Sequence, residues 1–134
     1  MNLRMALMAL LVREYDEAIA FYTQKLGFTV VEDTDRGNGK RWVRIATANA
    51  ASGVELLLAQ AVTPEQQSRV GNQTGGRVFL FFETDNFARD YELLRQRGVH
   101  FLEQPRHEEY GTVAVFQDLY GNKFDLIQHH RPPS

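Results

Sequence analysis

The chain has 134 residues, 43% hydrophobic and 24% charged, with fifteen basic against seventeen acidic side chains. That size and balance suit one globular domain, or two small modules sharing a core. The net charge of −2 excludes a strongly basic nucleic-acid surface, and the absence of cysteine excludes disulfides, thiolate metal sites and cysteine nucleophiles.

The N-terminal "MNLRMALMALLVREYDE" holds a short apolar stretch that runs straight into charges. It is too short to span a bilayer and lacks a small-residue cleavage site, so it reads as a strand near 5–12 of a cytoplasmic protein with no membrane partner. Ala18, Phe21, Tyr22 and Leu26 recur at helical spacing and predict a helix near 15–25, closed by Gly27. Strands follow near 28–34, 40–47 and 53–60, and the polar, Gly-rich 61–76 forms a linker. The second half starts with a strand near 77–83. Phe87, Tyr91 and Leu94 then predict a helix near 86–97, closed by Gly98. Strands are expected near 100–103, 112–117 and 123–128, with 105–113 bracketed by proline and glycine as a turn or short loop. Residues 129–134, ending in "RPPS", form a frayed tail.

The two halves repeat. Residues 14–32 lie without gaps on 85–103, at an offset of 71: an acid opens each segment, a glycine ends each helix, a glutamate closes each following strand. Each half reads strand, helix and three strands, which gives an α+β fold of two βαβββ modules, about 1–60 and 77–128, in a single domain spanning 1–128. Each module buries one sheet face under its helix. Side by side, the other two faces would form a curved, partly enclosed cleft.

Strand alternation assigns side chains to those faces. Val54, Leu56 and Leu58 oppose Glu55, Leu57 and Ala59; Phe124 and Leu126 oppose Lys123, Asp125 and Ile127; Val78, Leu80 and Phe82 oppose Arg77, Phe79 and Phe81. With the wholly apolar sets under the helices, the cleft receives Glu55, Asp125, Phe79 and Phe81. The alternative is that the two acids face solvent or pair with Arg41, Arg44 or Arg77.

The stretches "VREYDEAIAFYTQKLGF" (12–28), "GVELLL" (53–58), "RVFLFFETDNF" (77–87) and "FQDLYGNKFDLIQ" (116–128) resemble, in order, the vicinal oxygen chelate superfamily of glyoxalase I, bleomycin-resistance proteins and extradiol dioxygenases. The resemblance implies a glyoxalase/bleomycin-resistance-like fold, and a homodimer. In metal-dependent members it implies four ligands, usually His or Glu, from the first and last strand of each half. Here the last-strand positions match Glu55 and Asp125, but the first-strand positions fall on Leu7 and Phe79. His100, His107, His129 and His130 all follow residue 99. Two carboxylates alone make a poor catalytic site for a divalent ion. The expectation is therefore no cofactor, with a divalent metal on Glu55 and Asp125, or on a relocated set using His107, Glu108 or Tyr110, as the alternative.

Trp42, the only tryptophan, shares a strand face with Arg44 and would wall a pocket for a flat ligand, or simply pack. Glu108 and Tyr110 sit in the loop that the resemblance places over the cleft mouth. His107 beside them is an acid–base candidate or merely exposed. Gln73 is a hydrogen-bond candidate at a subunit or cleft edge. The glycines of 69–76 lack the order of a nucleotide-binding loop, and Ser52 has no nucleophile elbow around it. The leading reading is a small-molecule binding protein using Trp42, Glu55, Phe79, Phe81, Glu108, Tyr110 and Asp125. The alternative is an enzyme of the same superfamily: a metal-dependent lyase, isomerase or dioxygenase with displaced ligands, or a metal-free one with Glu55 or Glu108 as base.

Overall fold

A computed structural model describes residues 1–49 and 53–130; Ser52 and residues 131–134 of the expected tail lie outside them. The chain divides into two compact units, the first ending at Gly71 and the second starting at Asn72, inside the stretch expected to link the halves.

The first unit runs β1 (Leu7–Val12), α1 (Tyr15–Gln24), β2 (Thr29–Gly37), β3 (Lys40–Ala46), β4 (Glu55–Gln60) and α2 (Pro64–Ser68). Its sheet has the order β1-β4-β3-β2, with β1 and β4 parallel and the other pairs antiparallel. Glu14 starts α1 by accepting from the backbone N–H of Asp16 at 2.8 Å and of Glu17 at 2.9 Å, an unusual cap for so long a side chain. Gly27, at φ 73°, turns the chain out of the helix so that Phe28 N–H reaches back to the carbonyl of Tyr22 at 2.9 Å. Ala18 and Tyr22 of α1 then bury Leu10, Val43, Ile45, Leu56 and Leu58. Strand β2 runs three residues beyond its expected end, because Asn38 and Gly39 both take positive φ and close a two-residue hairpin. Part of the expected linker is helical: Thr63 and Gln66 form a reciprocal capping box around α2.

The second unit runs β5 (Val78–Glu83), α3 (Phe87–Gln96), β6 (His100–Phe101), β7 (Arg106–Glu108), β8 (Gly111–Gln117) and β9 (Lys123–His129). Its sheet has the order β5-β9-β8-β6, with β7 also pairing β8 and β5 parallel to β9. Asn86, not Asp85, caps α3, accepting from Arg89 N–H at 3.1 Å; Asp85 instead pairs with Arg89 at 2.8 Å. Phe87 and Tyr91 of α3 and Phe82, Phe101, Phe116 and Phe124 of the sheet form a chain of ring contacts under the helix. The segment expected as a loop over 105–113 is a tight hairpin, with Glu109 and Tyr110 at its turn. No alternating apolar run marks β7, whose three residues are all charged or titratable. Strand β9 also includes His129, the first residue of the expected tail.

The turn between β8 and β9 is built around two buried polar side chains, Asp118 and Asn122. Asp118 Oδ1 accepts from the backbone of Tyr120 and Asn122, both at 2.9 Å, and its Oδ2 accepts from the Asn122 amide at 2.9 Å. Asn122 Oδ1 in turn accepts from Gln73 N–H at 3.3 Å, so Gln73 ties the start of the second unit to this turn. Gly121, at φ 99°, completes the geometry. Asp118→Ala would leave buried N–H donors without acceptors. It should lower stability by roughly 2–3 kcal/mol in urea titration, with Asp118→Asn losing less; a loss under about 1 kcal/mol would show that the turn does not depend on this carboxylate.

Candidate functional site

In each unit the parallel pairing of first and last strands fixes which residues share the helix-free face. In the first unit, Leu7 stands beside Glu55, Ala9 beside Leu57 and Leu11 beside Ala59. Arg44 is opposite Leu57 on one side and Glu32 on the other, and Trp42 is opposite Thr34. Trp42, Arg44, Glu55 and Leu57 therefore occupy one face, as alternation predicts.

Glu55 is not a free acid on that face. The Arg44 guanidinium donates to Glu55 Oε1 in a short hydrogen bond and to Glu32 Oε1 at 3.0 Å. The two carboxylates raise the Arg44 pKa, that of Glu32 contributing more. The Thr34 hydroxyl, donating to Glu32 Oε2 at 2.8 Å, and Arg44 together lower the Glu32 pKa below the usual carboxylate range. On the opposite face Arg41 is fully engaged, with Asp33 at 2.6 Å, Asp16 at 2.8 Å and the Tyr15 ring centroid 5.2 Å from its guanidinium carbon.

In the second unit Asp125 is flanked by Phe81 on β5 and Val115 on β8. The residue beside Asp125 is thus Phe81, not Phe79. A register shift between Val78 and Leu80 gives β5 one extra residue there, and the Phe79 ring lies 6.4 Å from buried Phe124, on the helix side. This bulge corrects the expectation that Phe79 shares a face with Phe81. Phe81 is 65% exposed.

Asp125 Oδ1 is buried and has no hydrogen-bond partner among the described residues. Burial raises its pKa above the usual carboxylate range; Arg106 partly opposes this and Glu103 adds to it. Arg106 donates to Glu103 at 3.0 Å and to Glu108 at 2.8 Å, so its charge is already shared by two other acids. A space of about 490 Å³ opens on this unit, walled by Phe81, Val115, Leu102, Glu103, Arg77 and Lys123. Tyr110 is exposed, its ring 6.5 Å from that of His129, and His107 Nδ1 is 3.3 Å from the Thr112 hydroxyl.

The sequence reading missed Glu32, Arg36, Glu103 and Arg106. Register counted from the Asn38–Gly39 turn alone would set Glu32 opposite Ile45; the shift between Asp35 and Gly37 moves it opposite Arg44, so no local signal marked the pair. Arg36 is the extra residue of that shift, and its guanidinium carbon lies 5.7 Å from the Trp42 ring centroid.

Two units, each a strand, a helix and then strands that bring the last beside the first in parallel, in sheets of four and five strands, match the vicinal oxygen chelate architecture. The chain belongs to the Glyoxalase/Bleomycin resistance protein/Dioxygenase superfamily, whose model matches residues 4–126. It is 53% identical over 121 residues to a protein of Shewanella frigidimarina (strain NCIMB 400), covering 90% of this chain and 89% of that one. Among solved structures it is similar to UcmS2, at 32% identity and a TM-score of 0.81, covering 95% of this chain and 98% of that one. It is also similar to TnmS3, an antibiotic binding protein from Streptomyces sp. CB03234, at 26% identity and a TM-score of 0.76, covering 96% and 98% of the two chains.

The resemblance assigns the first-strand ligand positions to Leu7 and Phe79; in the structure Leu7 does stand beside Glu55, but Phe81 and not Phe79 stands beside Asp125. Each sheet supplies one carboxylate beside one hydrocarbon, and that of Glu55 is held by Arg44. Among the described residues no group of three or more His, Asp or Glu is placed to hold one ion. This donor set does not fit a divalent metal.

The raised Asp125 pKa has a consequence for stability. On raising pH the unfolded carboxyl ionises first, near pH 4, so the native state holds its proton longer and loses stability as pH climbs through the folded value. Asp125→Asn removes that loss. The variant should match or exceed the parent's stability at pH 7, with the difference shrinking as pH falls to about 3.5. Urea unfolding of both proteins across this range tests it; an Asn variant that is markedly weaker at pH 7 would mean that Asp125 is a structural ion-pair partner.

Proposed function

We infer that the protein binds a small molecule non-covalently on the helix-free face of its sheet, without the metal that catalytic members of the superfamily hold. The observation that carries this is Asp125: a carboxylate oxygen removed from water, with no donor to it among the described residues, flanked along its strand by Phe124 and Leu126. Folding gains nothing from such a group, whose burial without a partner is costly. A ligand N–H or cationic nitrogen would satisfy it, or, with the acid protonated, a ligand acceptor would. Phe81 and Val115 beside it supply apolar contact. Supporting the same reading, a structurally similar protein, TnmS3, is an antibiotic binding protein. The enzyme reading draws on Glu55 or Glu108 as base, and both are taken up by arginines, Arg44 and Arg106.

Native mass spectrometry of protein purified without chelator tests this. A small-molecule adduct should survive EDTA treatment and be depleted in Asp125→Asn while the variant stays folded. An adduct that leaves together with about one divalent ion per chain would establish the metal-dependent alternative instead.

The homodimer belongs to the same proposal. Val30 and Val31, 42% and 44% exposed, lie on the edge strand β2, where uncovered apolar side chains favour pairing with another chain. Light scattering should give twice the chain mass of 15.4 kDa, and Val31→Lys should shift the protein toward monomer; a constant monomer mass across a concentration series would refute this.

A further inference from the structure

The geometry points to a subsite in the first unit for a flat aromatic ligand bearing an acidic group, its ring against Trp42 and its acid toward Arg36. It rests on the reading above that this protein holds small molecules. A space of about 590 Å³ opens at the end of the sheet where the β2–β3 hairpin approaches α2. That is within the range of about 300–1,000 Å³ usual for drug-sized ligands. Its apolar wall is Trp42, Leu11, Leu57 and Ala59. Continuing the β3–β4 register sets Trp42 opposite Ala59, which is paired on its other side with Leu11. The small alanine between two large side chains leaves room beside the half-buried indole, an aromatic surface on which a planar ring can stack.

Charge gives the ligand its chemistry. Arg36, Lys40 and Arg41 line this space, and no aspartate or glutamate does, although the whole chain is acidic on balance. Arg41 is committed to Asp33 and Asp16. Arg36 and Lys40 make no ion pair among the described residues; Arg36 lies over the Trp42 ring and also helps, least of the groups around it, to lower the Glu32 pKa. A cation resting on an indole with no anion against it is placed to stack on a ring and to donate to a carboxylate or similar oxyanion at its edge. Lys40 adds a second positive charge on the same rim, whereas Gln60 and Gln66 are neutral and already hydrogen-bonded. A cationic ligand would find no counter-charge here.

Trp42 is the only tryptophan, so its fluorescence reports on this wall alone. The full-length protein would be titrated with anthraquinone-2-carboxylate, the neutral anthraquinone-2-carboxamide and the cationic 2-(aminomethyl)anthraquinone, three probes sharing one ring system. The carboxylate should quench Trp42 saturably and bind about tenfold more tightly than either analogue; Arg36→Gln should erase that preference and Arg36→Lys retain part of it. Arg36 is exposed, so both variants should fold, which far-ultraviolet circular dichroism would verify. Absence of saturation, equal binding of the three probes, or an undiminished preference in Arg36→Gln would overturn the subsite. None of those outcomes bears on Asp125, whose role is read separately from the native adduct, so the two proposals fail independently.

Discussion

In both units the first strand lies parallel to the last, and most of what the protein presents to its surroundings follows from that pairing. A parallel neighbour cannot be reached by a tight turn, so the chain must leave β1 through a helix and return from the far edge of the sheet. In the first unit it comes back through β2, β3 and β4, which leaves α1 across one face only. The covered face takes Leu10, Val43, Ile45, Leu56 and Leu58 out of water. At roughly 25 cal/mol per Å² of apolar surface, that burial is the main favourable term holding the unit together. The residues between them in sequence must then point the other way. Glu55 and Asp125 reach their helix-free faces as a consequence of where Leu56, Phe124 and Leu126 are needed.

Those two acids meet opposite fates, and magnitudes separate them. Glu55 is half-buried and clasped by Arg44, which also holds Glu32. Partly exposed pairs of this kind contribute about 0–1 kcal/mol, so the clasp sets geometry and local charge more than stability. Asp125 has a buried oxygen and a neighbouring arginine that two other glutamates already occupy. Within the second unit Arg106 offsets its desolvation only in part, and the upward displacement of its pKa records that balance. A structural role predicts a partner at that oxygen. The lack of one is what separates Asp125 from Glu55 as a recognition candidate.

How far the sequence disclosed this depended on the range of each interaction. Helices α1 and α3 and their Gly27 and Gly98 ends were legible, because apolar spacing and left-handed backbone positions are local signals; α2, with no apolar stripe, was not. Alternation correctly placed Trp42, Glu55 and Asp125, since a strand buried on one face has period two. It failed at Phe79, where a bulge inserts one residue and shifts the ring to the helix side; nothing in "RVFLFF" marks that insertion. Strand β7 was read as loop because "RHE" owes its conformation to pairing with β8 and not to burial of its own side chains. The Glu55–Arg44 contact was legible only as one option among three arginines. Choosing between them required the pairing of β3 with both β2 and β4.

Repetition makes a division of labour visible. Helix, glycine and following strand recur in the two units with little shared identity, because capping, a positive φ and a buried aromatic or branched side chain are all they require. The helix-free faces carry no such demand and have diverged. The first unit sets Trp42 beneath an unpaired Arg36 and neutralises Glu55; the second sets Phe81 beside an acid with no counter-charge bonded to it. One fold has thus acquired a cation-rimmed aromatic wall in one copy and an unsatisfied acid in the other. A ligand class is therefore to be read from each face's own charges and rings, since the backbone beneath them is common to both.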